Sequence, residues 1–307
     1  GVKHFPTGHY SANIKFGDQC EFEGFCVFGG SCKFGAECEF EGRCCFGTGS
    51  IFADRCSFGI NCIFGEGCSF GVWCKFNHSC KFGTGCKFGE FCRFDPVCKF
   101  GTKCEFGCGC VFDESCKFGK FCKFGLECLF GEKCKFGAEG VFGCDCTFGA
   151  QCKFGVYSRF YDQCQFRKKC EFDTHCEFGV RSNFWQGGRF GNFCKFSPDC
   201  YFHQKCSFGK DCRFGEKQLF GADCTFEEGF KAKTDLPFLA LVGAGSEART
   251  CYFYDFQEGI HVRAGCFFGS LEEFKAKVLE DEETPETPSK KTKVYLGFCE
   301  LAEVQFN

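Results

Sequence analysis

Thirty-five cysteines in 307 residues are the first groups that could do chemistry. A thiolate can bind metal, attack an electrophile or pair as a disulfide. Cys-x-Cys occurs at Cys108/Cys110 and Cys144/Cys146, and Cys44 and Cys45 are adjacent. No Cys-x2-Cys has a matching second pair, so a zinc site is not expected. The cysteines follow a repeat and not pairwise spacings. A thiol is also a small, readily buried group, so the expectation is packed, mostly reduced thiols. Disulfides across coils are the competing reading, and an odd total leaves at least one thiol over in a monomer. The six histidines, His4, His9, His78, His175, His203 and His261, show no relay to Cys251, Cys266 or Cys299. Gly243-x-Gly245 lacks the third glycine of a dinucleotide motif. No catalytic residue, cofactor or metal site is predicted.

What positions the cysteines is one hexad, Cys-x-Phe-Gly-x-x, running 35 times from Cys20 to Phe226 without insertion. Slot one is Cys in 29 hexads; Ser50, Gly140, Ser158, Ser182, Gly188 and Gln218 replace it. Slot three is Phe in all 35. Residues two apart on an extended backbone point the same way. Cys and Phe therefore face inward together, as in the ladder that starts Cys20, Phe22, Cys26, Phe28, Cys32, Phe34. Slot four is Gly in 22 hexads, with Asn77, Asp95, Asp113 and Asp173 among the exceptions. These types tolerate positive φ, so slot four is predicted to be the left-handed corner residue. A lone hexad cannot bury its Phe, but stacked coils can. Low-complexity disorder does not fit a chain with 19% aromatic residues.

The number of hexads per coil can be counted. Eight of the 13 residues other than Gly in slot four recur every third hexad: Glu23, Glu41, Asn77, Asp95, Asp113, Arg167, Trp185 and His203. Slot two holds 14 Lys or Arg, and only Lys75 and Arg93 share that register. Three hexads per turn give an 18-residue triangular coil and nearly 12 coils, a rod of roughly 55 Å. One face differs from the other two. Its column Glu23, Glu41, Asn77, Asp95 and Asp113 is the candidate interaction face, suited to a basic partner or Ca²⁺; a solvated corner is the bland alternative.

This pattern resembles the hexapeptide-repeat left-handed β-helix over residues 20–226, with Cys in the small slot and Phe in the aliphatic one. The resemblance implies an all-β parallel solenoid. Because Phe is bulky for a narrow triangle, a square solenoid of the pentapeptide-repeat kind is the alternative. Hexapeptide solenoids are often acyltransferases that work as trimers, with a catalytic His between subunits and, commonly, a loop that interrupts a coil. No such loop occurs here.

The chain divides into a lead-in (1–19), the solenoid (20–229) and an α+β capping or interaction domain (230–307). In the lead-in, Ile14-Lys15-Phe16-Gly17 is already a hexad in phase. Phe25, Trp73, Phe91, Phe121, Tyr157 and Phe193 occupy slot six, at or outside corners. The pattern loosens over 158–205, where docking of the C-terminal domain is expected. Beyond 230, Pro237 to Val242 is a short apolar run and Gly243–Ser246 reads as a turn; the stretch Thr250–Phe256 and, after a turn at 257–259, Ile260–Phe268 read as strands. Ser270-Leu-Glu-Glu273 is a capping box, so a helix is predicted to about Asp281. Residues 282–289 read as a mobile loop and Lys293–Val304 as a second helix. Cys266-Phe267-Phe268-Gly269 matches the hexad by chance.

Formal charge is −3 overall. It divides into 28 basic and 25 acidic residues up to 226 and 9 and 15 thereafter. Nucleic acid is not an expected partner. There is no apolar run long enough to span a membrane and no signal-like segment. A reducing cytoplasm, or association with a virion, is the expected setting.

Residues 261–278, with Thr250–Phe256 before them and Val294–Phe298 after, resemble a C-terminal module of phage and prophage solenoid proteins. That resemblance implies a phage-derived structural or host-interaction protein. The expected function is a non-enzymatic structural or protein-interaction solenoid, with a protein partner or self-association. An acyltransferase, or a thiol- or metal-binding rod, is the alternative.

Overall fold

The structure is a computed structural model. It describes residues 2–215, 218–221, 224–225, 239–244, 249–256, 259–264, 267–280 and 289–306. The chain is a parallel β-solenoid with about 18 residues per turn, followed by an antiparallel sheet and two helices. It forms two compact units, residues 1–178 and 179–307.

In the first unit every third strand is a neighbour, so three parallel sheets form the sides of each coil. The first sheet runs Lys3–Phe5, Cys20–Phe22, Glu39–Phe40, Ser57–Phe58 and onward. The second contains His9–Tyr10, Val27–Phe28 and Cys45–Phe46, and the third Lys15–Phe16, Lys33–Phe34 and Ile51–Phe52. Residues 3–16 thus make a coil of their own, with Phe5 opposite Phe22. The coil is three-sided, as the slot counts predict, and the square alternative does not form.

Register is strict because identical slots stack. The Lys99 amide donates to the Cys80 carbonyl at 2.9 Å, and the Gly101 amide to the Phe82 carbonyl at 2.9 Å. The Phe rings fill the interior in three columns. Phe94 stacks on Phe76 and Phe112 at 4.8 Å, nearly parallel, and meets Phe88 and Phe100 edge-on at 5.0 and 5.1 Å. Both geometries suit the ring quadrupole. A bulky Phe fits the narrow triangle because each ring is flat along the stacking axis.

The corner differs from its predicted form. Positive φ falls on slot six, as at Phe25 (63°), Trp73 (61°), Val97 (66°) and Lys103 (57°), and not on slot four. Glycine is favoured in slot four for a different reason. A Cβ on Gly101 would lie 2.7 Å from the Gly83 carbonyl carbon in the preceding coil. The requirement there is close approach of two backbones, and conformational freedom plays no part.

The second unit begins with solenoid strands of the same type, such as Asn183–Phe184 paired with Tyr201–Phe202. Its antiparallel sheet has the order Leu239–Ala244, Arg249–Phe256, Gly259–Ala264, Phe267–Ser270. The predicted strand over 260–268 is thus two strands. Phe267–Ser270 belongs to this sheet and not to a coil, and Cys266 lies outside the described residues. Helix α1 spans Leu271–Glu280 and α2 spans Lys290–Phe306. The capping box forms reciprocally: the Ser270 amide donates to Glu273 Oε2 at 2.7 Å and the Glu273 amide to Ser270 Oγ at 3.1 Å. Cys251, Phe253, Val262, Phe274, Tyr295 and Cys299 are among the residues that close this small core. Arg263 donates to Asp211 at 3.0 Å, tying the sheet to a coil just beyond the 158–205 stretch where docking is predicted. Residues 281–288, most of the predicted loop, lie outside the described residues.

Candidate functional site

The thiols are structural in their surroundings. All 34 described cysteines are outside any disulfide. Slot-one thiols are buried, and most place Sγ against a carbonyl of the preceding coil, while Cys20 meets Gly17 O of its own turn at 3.3 Å. Cys92 reaches Gly71 O at 3.4 Å and Cys110 reaches Gly89 O at 3.4 Å. Serine substitutes by donating within its own coil, Ser158 Oγ to Gly155 O at 2.7 Å. That explains why Ser is tolerated in the slot. Successive thiols also stack. The hydrogen bond to the Cys56 thiol, with burial, pushes the Cys38 thiol well above its ordinary range. The same two effects raise Cys68 against Cys86. Cys38 and Cys68, held protonated in this way, are poor ligands and nucleophiles, whereas hydrogen bonds from Cys44 and Cys80 lower the Cys62 thiol stacked between them. In the second unit, burial pushes Cys251 up to about 11 and Cys299 up to about 12. Among the described residues, no group of three His, Cys, Asp or Glu is arranged to hold a metal ion.

The histidines are dispersed. His4 pairs with Glu21 at 2.8 Å, and His78 meets Ser79 Oγ at 2.6 Å. His175 stacks on Tyr157 at 4.7 Å, and His261 Nδ1 lies 3.1 Å from Gly259 O. No coil of the first unit carries an inserted loop. The slot-six aromatics stand exposed at corners, where Trp73 stacks on Phe91 at 4.6 Å and Arg43 lies over the Phe25 ring at 5.2 Å.

The candidate column forms as predicted in its placement. Glu23, Glu41, Asn77, Asp95 and Asp113 follow strands of the first sheet in slot four, with Gly59 between Glu41 and Asn77. Glu23, Glu41 and Asn77 are exposed, while Asp95 and Asp113 are half-buried. Burial, then the charge of Asp113, raises the Asp95 carboxyl. The two glutamates also have structural partners. Glu41 Oε2 accepts from the Gly24 amide at 3.0 Å, and Glu23 Oε2 from the Thr7 amide at 3.1 Å. Each holds a corner of the preceding coil.

Glu23, Glu41 and Asn77 come together in an open groove of about 490 Å³, whereas Asp95 and Asp113 do not line it. Its other polar walls are His4, Glu21, Glu39 and Ser57. Glu21 and Glu39 are directly opposed, Cα to Cα, in the first sheet. The slot-four count missed them because they sit in slot two. Reading slot two in the same register would have found them, since Glu21, Glu39 and Ser57 precede the basic Lys75 and Arg93.

Comparison of the chain with family models, curated proteins and solved structures gave no match. No described helix is long and apolar enough to cross a membrane.

Proposed function

We propose that this chain is a non-enzymatic structural and protein-interaction solenoid whose first sheet receives a basic segment of a partner. The observation that carries the reading is the groove with four carboxylates, Glu21, Glu23, Glu39 and Glu41, on adjacent coils. Like charges directly opposite on a sheet oppose folding, and a cationic partner would relieve that repulsion. The interior supports the same reading, because it is filled by phenyl rings and thiols and leaves the chemistry on the outside. A phage-type structural or host-interaction setting belongs to this proposal, supported by the resemblance of residues 250–298.

The test is a fluorescence-anisotropy titration of the full chain with a labelled oligoarginine peptide, alongside calorimetry with acetyl-CoA. Binding of the peptide is expected, weakened about tenfold in Glu21→Gln/Glu39→Gln/Glu41→Gln, since each exposed ion pair contributes ~0.2–1 kcal/mol. No heat with acetyl-CoA is expected. Saturable acetyl-CoA binding, or peptide binding untouched by the triple variant, would overturn the reading.

A further inference from the structure

The second sheet carries a feature that the acidic groove does not explain. Its outward slot is Lys in five successive coils: Lys81, Lys99, Lys117, Lys135 and Lys153. They are paired Cα to Cα in one parallel register. All five are exposed. Lys153 meets Glu171 at 2.6 Å. Among the described residues, the other four have no carboxylate within 4.0 Å. The third sheet handles the same problem differently. There Glu105 lies between Lys87 and Lys123, at 3.5 and 3.8 Å, and Arg159 pairs with Glu177 at 3.2 Å.

Stacking ammonium groups at the ~4.8 Å strand spacing opposes folding. The fold does not need it, because Val27, Cys45 and Ile63 fill the same outward slot in earlier coils. Beside the lysines runs a second column, Gly83, Gly101, Gly119, Gly137 and Gly155. With no side chains there, the lane next to the ammonium row is flat.

We propose that this lane binds a linear anionic polysaccharide, a chain of pyranose rings with about one carboxylate or sulfate per monomer, laid along the lysine row. Charge density favours this class. One cation per ~4.8 Å step suits an extended polymer with one anion per monomer. Duplex DNA carries one charge per ~1.7 Å of axis and curves away from a flat sheet. Single-stranded nucleic acid calls for aromatic platforms under successive bases, and the lane offers glycine. The nearest exposed rings, Phe121 and Tyr157, stand at the adjoining corner two coils apart. The proposal rests on the scaffold reading above but concerns a different face.

The experiment uses the full chain and immobilised polygalacturonate, with dextran, duplex DNA and polyglutamate as comparison matrices. At about 10 mM salt, where the screening length is ~30 Å, retention on polygalacturonate is expected, and it is lost near 1 M. Lys81→Gln/Lys99→Gln/Lys117→Gln/Lys135→Gln should bind at least about tenfold more weakly. The Lys→Arg version at the same four positions should bind as the natural chain does. Lys33→Gln/Lys75→Gln/Lys87→Gln/Lys123→Gln changes net charge equally and should stay within about twofold. The proposal is overturned if the two Lys→Gln sets lose binding alike, if DNA or polyglutamate binds as tightly with the same dependence on the four lysines, or if polygalacturonate is not retained at low salt. Shortening of the bound polymer with time would instead overturn the non-enzymatic reading and leave the binding lane standing.

Discussion

The two units bury their aromatic rings by different means. In the first, the ring partners of Phe94 are equivalents of itself in its own and neighbouring coils, so the core repeats one set of ring contacts. In the second, the core that follows the coils is assembled once, from a sheet and two helices. Phe274 of α1 meets Tyr295 of α2 edge-on at 5.8 Å, and Lys275 is bonded to Glu303 across the same helix pair. Each solenoid coil can be lost or gained with its neighbours as a local event. The sheet–helix core has no such partial state, because each element covers a different part of it. Repetition gives a solenoid local stability, and heterogeneity gives the small core all-or-none behaviour.

The largest expected effect breaks that comparison at its strongest point. Phe94 is fully buried. Phe94→Ala should cost about 3–5 kcal/mol, the usual range for emptying a packed aromatic site. In a repeat the damage stays local. Hydrogen exchange should speed up in the coils around Phe76–Phe112 and much less near residues 20–40. Phe274→Ala, of similar cost, should instead expose residues 251–306 as a block. Uniform loss of protection along 20–178 after Phe94→Ala would refute the local picture.

A second comparison concerns thiols and pH. Cys251 and Cys299 are fully buried and pushed up to about 11 and about 12, first by burial. The unfolded chain releases these protons near pH 9, so between pH 9 and 11 the folded state binds more protons than the unfolded one. Stability is therefore complete below about pH 9 and falls as pH rises. For Cys251 alone the loss reaches about 3 kcal/mol by pH 11. Exchange of the 251–306 peptides in the full chain should accelerate over that window, and Cys251→Ala, weaker at neutral pH, should show a shallower fall. Flat protection from pH 8 to 11 would contradict the burial of these thiols.

The solenoid was legible because its signal is redundant. Each inward slot is stated 35 times, so three hexads per turn follow from counting alone, as does the placement of Glu23, Glu41, Asn77, Asp95 and Asp113 in one column. What was not legible depends on distances between coils. Glycine preference in slot four suggests positive φ, yet the left-handed residue is two positions later, where Phe25, Trp73 and Val97 give no compositional hint. The difference between Glu41 in the groove and Asp113 outside it was equally hidden, since both share a slot. In the second unit the capping box named the start of α1, because Ser270 and Glu273 interact within one turn. The break between Ala264 and Phe267 left no such mark in the apolar pattern.

The smallest effects sharpen the comparison between slots four and six. Gly101 has its amide bonded to Phe82 O at 2.9 Å, and its would-be Cβ faces backbone, not the end of a side chain. Neither coil can shift without loosening the ladder, so Gly101→Ala should cost about 1–3 kcal/mol, the range for overpacking. Lys103, two residues on, is held at φ 57°. The left-handed conformation costs a non-glycine residue about 1–2 kcal/mol. Glycine would relieve it, while losing more freedom on folding, by about 0.5–1 kcal/mol. Lys103→Gly should therefore be neutral to stabilising by up to about 1 kcal/mol. Gly85, in the same slot one coil earlier, already shows that glycine fits there, at φ 69°. Denaturant midpoints of the two variants decide the matter. Opposite signs would place the steric demand in slot four and the conformational demand in slot six. A Gly101→Ala chain as stable as the natural one would mean that the coils can separate to admit a methyl group, and glycine in that slot would then need another cause.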